Sequence, residues 1–278
     1  MSSAADILPV LATAAAGAAA FFSIGTYGAT HPASRLWGPV FSRGPAASST
    51  VALTFDDGPL PGTTDRILDG LGDLGVRASF LVIGLHARNH PELVRRMYDE
   101  GHLVGNHSYD HLHSGLFGRY AYWLQEIRRC DDVVEQIIGR RPATFRPPMG
   151  LRHWHLMNAA TDLGHNVVTW SLRARDVKAT AAADVLGRLV TPARPGDVIV
   201  LHDGNDPCLP PPDRSGTLDA VRPLVEGLRR RDLQPARLDE LLGIPGYQPV
   251  GKTPAGISPD TFSSRHTGLL SPVPGGEG

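Results

Sequence analysis

Cysteine is nearly absent from this chain: only Cys130 and Cys208 occur in 278 residues. Two are too few for a disulfide framework and lack the paired spacing of a structural zinc site, so the redox compartment stays open. An excess of either charge is also missing. Lys and Arg number 27 against 28 Asp and Glu, a formal net charge of -1, which excludes broad electrostatic capture of nucleic acid or anionic membranes. A neutral or locally recognised substrate fits better. From Ile7 to Thr30 there is no Asp, Glu, Lys, Arg or His. That stretch reaches the roughly 20 apolar residues of a membrane span, so residues 1–30 read as a membrane anchor, with a soluble Ala-rich helix as the alternative. No Lys or Arg precedes the stretch, which matches a secretory signal peptide poorly. No internal repeat is present.

The length accommodates one large α/β domain with a deep pocket. Residues 31–49 form a Pro, Gly and Ser-rich connector. From Thr50 short β-branched or apolar runs alternate with amphipathic segments of helical spacing. The candidate strands are Val51–Phe55, Ala78–Ile83, Leu103–Asn106, Ala143–Phe145, Asn166–Trp170, Val198–Leu201 and Gln234–Leu238. Between them run apolar helical stripes: Ile67, Leu68, Leu71 and Leu74; Leu124, Ile127, Val134 and Ile138; Leu218, Val221, Val225 and Leu228. Such alternation implies parallel strands joined by helical crossovers, as an open sheet or a barrel, and about seven strands favour the barrel. The domain runs over residues 50–242. The tail, 243–278, is dense in Pro and Gly, has no periodic apolar face and is expected to be irregular.

Chemistry in parallel β/α folds collects at the carboxyl ends of the strands. Here Asp56 and Asp57 follow one strand, His107 another, Arg146 a third and His202 with Asp203 a fourth, while Asp176 lies in the loop after Trp170. Thr54-Phe55-Asp56-Asp57-Gly58-Pro59 sets two carboxylates side by side, able to divide metal binding and proton handling between them. Read alone, it is equally a turn in which Asp accepts backbone hydrogen bonds. His107 and His111 stand at i and i+4 and share a face if the segment turns helically. Two nitrogens and one carboxylate suit a divalent catalytic metal with positions left for water and substrate. Arg146, stiffened by Pro147 and Pro148, suits a bidentate contact to a carboxylate. His202 suits general acid work near neutral pH. Taken singly, each of these also fits a surface, core or turn role.

Together these segments resemble the polysaccharide deacetylase family, the NodB-homology domain of carbohydrate esterase family 4. The resemblance rests on TFDDGP at 54–59, HSYDH at 107–111, RPPMG at 146–150, the stretch from Trp170 to Asp176, and LHD at 201–203, in matching order over roughly residues 50–242. It implies a distorted (β/α)7 TIM-like barrel and a hydrolase removing N-acetyl groups from amino sugars of a glycan or oligosaccharide. It also implies a divalent metal, usually zinc, on Asp57, His107 and His111. Asp56 would be the general base, Arg146 would orient it, and His202 would be the acid with Asp176 tuning it. Met149, Trp170 and Leu201 would shape the substrate pocket.

The chain departs from the family where many relatives carry Tyr at the position of Met149. It also lacks the acidic and Trp residues that often flank Asp176. Peptidoglycan or a chitin-like glycan is the expected substrate. The alternatives are deacylation or deformylation of a lipid-linked sugar, or a catalytically silent glycan-binding domain, which the presence of base, ligands and acid disfavours. Residues 7–30 point to membrane association, and the glycan to an extracytoplasmic or membrane-associated location. Arg35 and Arg43, after that segment, favour a cytoplasmic domain instead.

Overall fold

The computed structural model describes residues 20–250 apart from 21, 48, 179, 211 and 212. Most of the expected anchor and residues 251–278 of the expected irregular tail therefore lie outside the described residues. Residues 22–30 are helical, and among the described residues no helix is long and apolar enough to cross a membrane.

Eight parallel strands build one sheet. They are β1 (Thr50–Asp56), β2 (Ser79–Val82), β3 (Leu103–Asn106), β4 (Thr144–Phe145), β5 (Asn166–Val167), β6 (Leu172–Arg173), β7 (Val198–His202) and β8 (Gln234–Ala236). Their order is β5-β4-β3-β2-β1-β7-β6, and β8 pairs with the first residues of β1. The helices are α1 (Thr64–Asp73), α2 (Gly84–Asn89), α3 (Pro91–Asp99), α4 (Tyr120–Ile138), α5 (Trp154–Asp162), α6 (Ala182–Leu189), α7 (Ser215–Arg229) and α8 (Leu238–Leu242). The edge strands β5 and β6 are joined only by residues 168–171, which reach at most about 18 Å. The two edges must therefore be drawn together, and the sheet curls into a distorted barrel. The connector fills the seam: Phe41 bridges Val168, Arg43 bridges Asp197, and their side chains form an ion pair at 2.6 Å.

Strand alternation sorts the side chains. Leu53, Phe55, Phe80, Val104, Ile199 and Leu201 face the helical layer and pack with the stripe residues of α1 and α7. Inside the barrel, Ala52, Leu103, Val168 and Val198 form an apolar floor against Leu238 and Leu241 of α8. One repeat further along β1 and β7 stand Thr54 and Val200, and one further still Asp56 and His202, so polarity rises toward the carboxyl ends. The described start of the tail is tied to this floor. Gln248 donates from Nε2 to the carbonyls of Pro142 and Leu163, and Tyr247 Oη accepts from Val104 N.

Candidate active site

At the end of β1 the backbone turns left-handed at Asp57, φ 71°, so that Asp56 and Asp57 point in different directions from adjacent positions. The loop after β7 closes on this turn. A Cβ on Gly204 would lie 1.9 Å from the Asp57 carbonyl oxygen, so only glycine lets the two backbones approach.

Asp56 is held by Arg146, whose Nη1 donates to Oδ1 at 2.6 Å. Arg146 is fully buried, and two further bonds fix it in place: Nη1 also reaches Thr54 Oγ1 at 2.9 Å and Nη2 the Thr169 carbonyl at 3.0 Å, while Nε has no partner. The expected bidentate contact is thus a single bond, because Nη1 is shared with Thr54 and Nη2 is turned to the Thr169 carbonyl of the barrel wall. Asp56 Oδ2 is left toward the cleft, 4.0 Å from His107 Nε2.

His107 and His111 do not share a helical face. The segment after β3 is a loop with left-handed residues at Ser108, φ 68°, and His111, φ 52°, and the turn itself brings the rings to a centroid distance of 4.9 Å. Neighbours hold that turn. Asn106 Oδ1 accepts from Ser108 N, Ser108 Oγ accepts from His111 N, and Glu126 Oε2, from α4, accepts from the Tyr109 and Asp110 amides at 3.1 and 2.9 Å. Burial pushes the Glu126 carboxyl up. His107 Nδ1 lies 2.8 Å from the Arg146 carbonyl. A carbonyl only accepts, so Nδ1 carries the hydrogen and Nε2 presents its lone pair.

That lone pair faces Asp57 Oδ1 at 3.4 Å, and His111 Nε2 faces the same oxygen at 3.5 Å. Three buried atoms of metal-ligating type thus converge at distances long for hydrogen bonds. Such a donor set fits a cation, and Asp57, His107 and His111 form a group able to hold one. Burial works against the Asp57 charge, but the imidazoles gathered around it, His107, His202 and His111, outweigh it, so Asp57 is held well below the usual carboxylate range.

Across the cleft His202 Nδ1 lies 2.8 Å from Asp176 Oδ1, and Asp176 Oδ2 accepts from the His202 amide and the Thr217 hydroxyl. Burial alone would lower His202; the Asp176 hydrogen bond, then the charges of Asp176, Asp57 and Asp56, push it up to about 9. With Nδ1 engaged, Nε2 remains for the cleft.

The cleft is about 440 Å³ and takes in Asp56, Asp57, His107, His111, Met149, Trp170 and His202. Trp170 packs against Gly150, where a Cβ would fall 2.4 Å from the indole. Leu201 is a correction. It sits in the core beside the helices, in register with Phe55, while Val200 lines the cleft, because period-two alternation puts 200 and 202 on one side and 201 on the other. Sequence reasoning also missed Asp206. Its Oδ1 lies 3.5 Å from His111 Nδ1, its Oδ2 2.6 Å from His113 Nε2, and the three residues form a second group able to hold an ion. Asp203 instead turns inward onto the Thr64 hydroxyl at 2.6 Å, and burial pushes it up to about 7.

Comparison with known proteins agrees with this architecture. Residues 43–168 match the family model for polysaccharide deacetylase. A chitooligosaccharide deacetylase of Azorhizobium caulinodans is 33% identical over 202 residues, 67% of this chain and 92% of that one. A peptidoglycan-N-acetylglucosamine deacetylase of Bacillus cereus is 30% identical over 71% of this chain and 90% of its own. The crystal structure of the Bc1960 peptidoglycan N-acetylglucosamine deacetylase superposes with a TM-score of 0.69 at 28% identity, covering 75% of this chain and 95% of that one. A family 4 carbohydrate esterase from Streptomyces lividans, in complex with acetate, gives 0.60 at 31% identity, covering 67% and 91%. Sharing both sequence and barrel with these deacetylases over nearly their whole length, the chain belongs to the polysaccharide deacetylase family.

Proposed function

We propose that the chain is a metal-dependent hydrolase that removes acetyl groups from amino-sugar nitrogens of a glycan, peptidoglycan or chitin-like, with zinc as its metal. The observation that carries this reading is the approach of His107 Nε2 and His111 Nε2 to one oxygen of Asp57, at 3.4 and 3.5 Å, beside a second carboxylate. A divalent cation held by Asp57, His107 and His111 supplies Lewis acidity toward the acyl oxygen and toward water.

The chain's own groups move the protons. Asp56, anchored through Oδ1 by Arg146, has Oδ2 free to take a proton from the attacking water. The new C–O bond forms at the acetyl carbon, and backbone N–H groups near Met149 are suited to the developing oxyanion. His202, kept charged by Asp176, gives its proton to the departing nitrogen as the C–N bond breaks, so that acetate and a free amine leave. Trp170, Met149 and Val200 line the cleft in which the acetyl group would sit.

The test is acetate release from peptidoglycan and from chitooligosaccharides by the purified chain and by Asp56→Asn. Removing a general base costs about 10²–10⁴-fold in rate, so the variant is expected to retain about 1% of activity or less. Equal acetate release by both proteins contradicts the assignment of Asp56.

A further inference from the structure

A run of cations lines the catalytic cleft and has nothing to neutralise. After β6 the chain reads Arg173-Ala174-Arg175-Asp176-Val177-Lys178. Ala174 and Asp176 are turned inward, 0% and 1% exposed, with Asp176 on His202. The alternate residues Arg173, Arg175 and Val177 are turned outward, and with Lys178 they line the cleft that holds Asp56, Asp57 and His202. Among the described residues no side chain of Arg173, Arg175 or Lys178 makes an ion pair or hydrogen bond.

The carboxylates of the cleft are already matched. Asp56 is paired with Arg146 at 2.6 Å, Asp206 with His113 at 2.6 Å, and Asp57 faces the imidazoles of His107 and His111. In a chain with formal net charge -1 these cations are a local feature. Unpaired positive charge beside a substrate cleft raises the local concentration of anions and selects among substrates of otherwise similar shape.

We propose that the natural substrate carries an anionic group, a sugar-borne carboxylate or phosphate, close to its N-acetyl group, and that Arg173, Arg175 and Lys178 recognise it. The proposal rests on the deacetylase reading above and narrows its substrate class: an anionic N-acetylated amino sugar is preferred over a neutral chitin-like oligomer. Exposed charges of this kind act within a Debye length and are screened by salt, so the preference depends on ionic strength.

The experiment compares kcat/KM for acetate release from three substrates. These are a neutral N-acetylchitooligosaccharide, a peptidoglycan fragment bearing the muramic acid carboxylate, and an N-acetylglucosamine phosphate. Wild type and the triple variant Arg173→Gln, Arg175→Gln, Lys178→Gln are measured at low and high ionic strength. At least one anionic substrate is expected to exceed the neutral one by about tenfold at low salt, equivalent to about 1.4 kcal/mol. That advantage should shrink at high salt in the wild type and in the triple variant, and the anion preferred separates carboxylate from phosphate. The wild-type salt response decides the matter even if the variant does not fold. A neutral oligomer cleaved as well as both anions overturns the charge preference and leaves the deacetylase reading intact. An anionic advantage that survives the triple substitution overturns it too. Absence of acetate from every substrate removes both readings.

Discussion

His202 is a histidine whose charge depends on one neighbour. Its Nδ1 is 2.8 Å from Asp176, and together with Asp57 and Asp56 that carboxylate raises it to about 9. An acid must be protonated to act, so activity resting on His202 is present below its pKa and lost as pH rises through it. A bound cation, adding positive charge nearby, moves that limit downward. Asp176→Asn removes the largest of the causes that raise it, and an opposite charge in contact is worth about 1–3 pH units. The alkaline limb of the kcat/KM profile is expected to fall by about one unit or more; an unmoved limb separates Asp176 from the acid. At this scale the residue types and their places at strand ends made Asp56, Asp57, His107, His111, Arg146, Asp176 and His202 candidates, and the family resemblance gave them their roles; the fold brings them to one cleft apart from the fully buried Arg146 and Asp176, which reach it through Asp56 and His202. The failure at Leu201 was one of parity. A short apolar run such as Val198–Leu201 does not say which alternate residues face inward until its register against β1 is known. Asp206 carried no local signal, since its proximity to His111 arises from two loops far apart in sequence.

The loop after β3 shows what a local pattern cannot carry. The i, i+4 spacing of His107 and His111 suggested a helical turn, yet the chain instead takes left-handed conformations at Ser108 and His111. The compensating contacts come from α4, whose buried Glu126 receives two loop amides, and from Arg129, which lies 3.6 Å over the Tyr109 ring. None of these partners lies within a helical turn of the loop. Leaving a buried donor unpaired costs about 1–3 kcal/mol, so Glu126→Ala, which strands two, should destabilise the fold by about 2–4 kcal/mol. Glu126→Gln, which keeps an acceptor oxygen, should recover most of that loss in denaturant unfolding. Equal stability of Ala and Gln variants tells against the loop's dependence on this side chain. Strand β6 was invisible for a different reason: Leu172–Arg173 is two residues long and shows no period.

Over the whole molecule, apolar and polar layers are stacked along the barrel axis. The floor of Ala52, Leu103, Val168 and Val198 closes one end, and Asp56, Asp57, His107, His111 and His202 gather at the other. The barrel was legible from the alternation of strand and helix signals. Its seam was not, because the Pro, Gly and Ser-rich connector gives no sign that Phe41 and Arg43 will fill the space between β5 and β7. The central claim is that one cation, held by Asp57, His107 and His111, is what makes this arrangement a catalyst. The most direct measurement adds zinc stepwise to chelator-stripped protein while following acetate release from peptidoglycan. Activity should climb from near zero and level off at one ion per chain, and His107→Ala should show no such rise. Full acetate release by the stripped protein, or a wild-type response in His107→Ala, contradicts the claim.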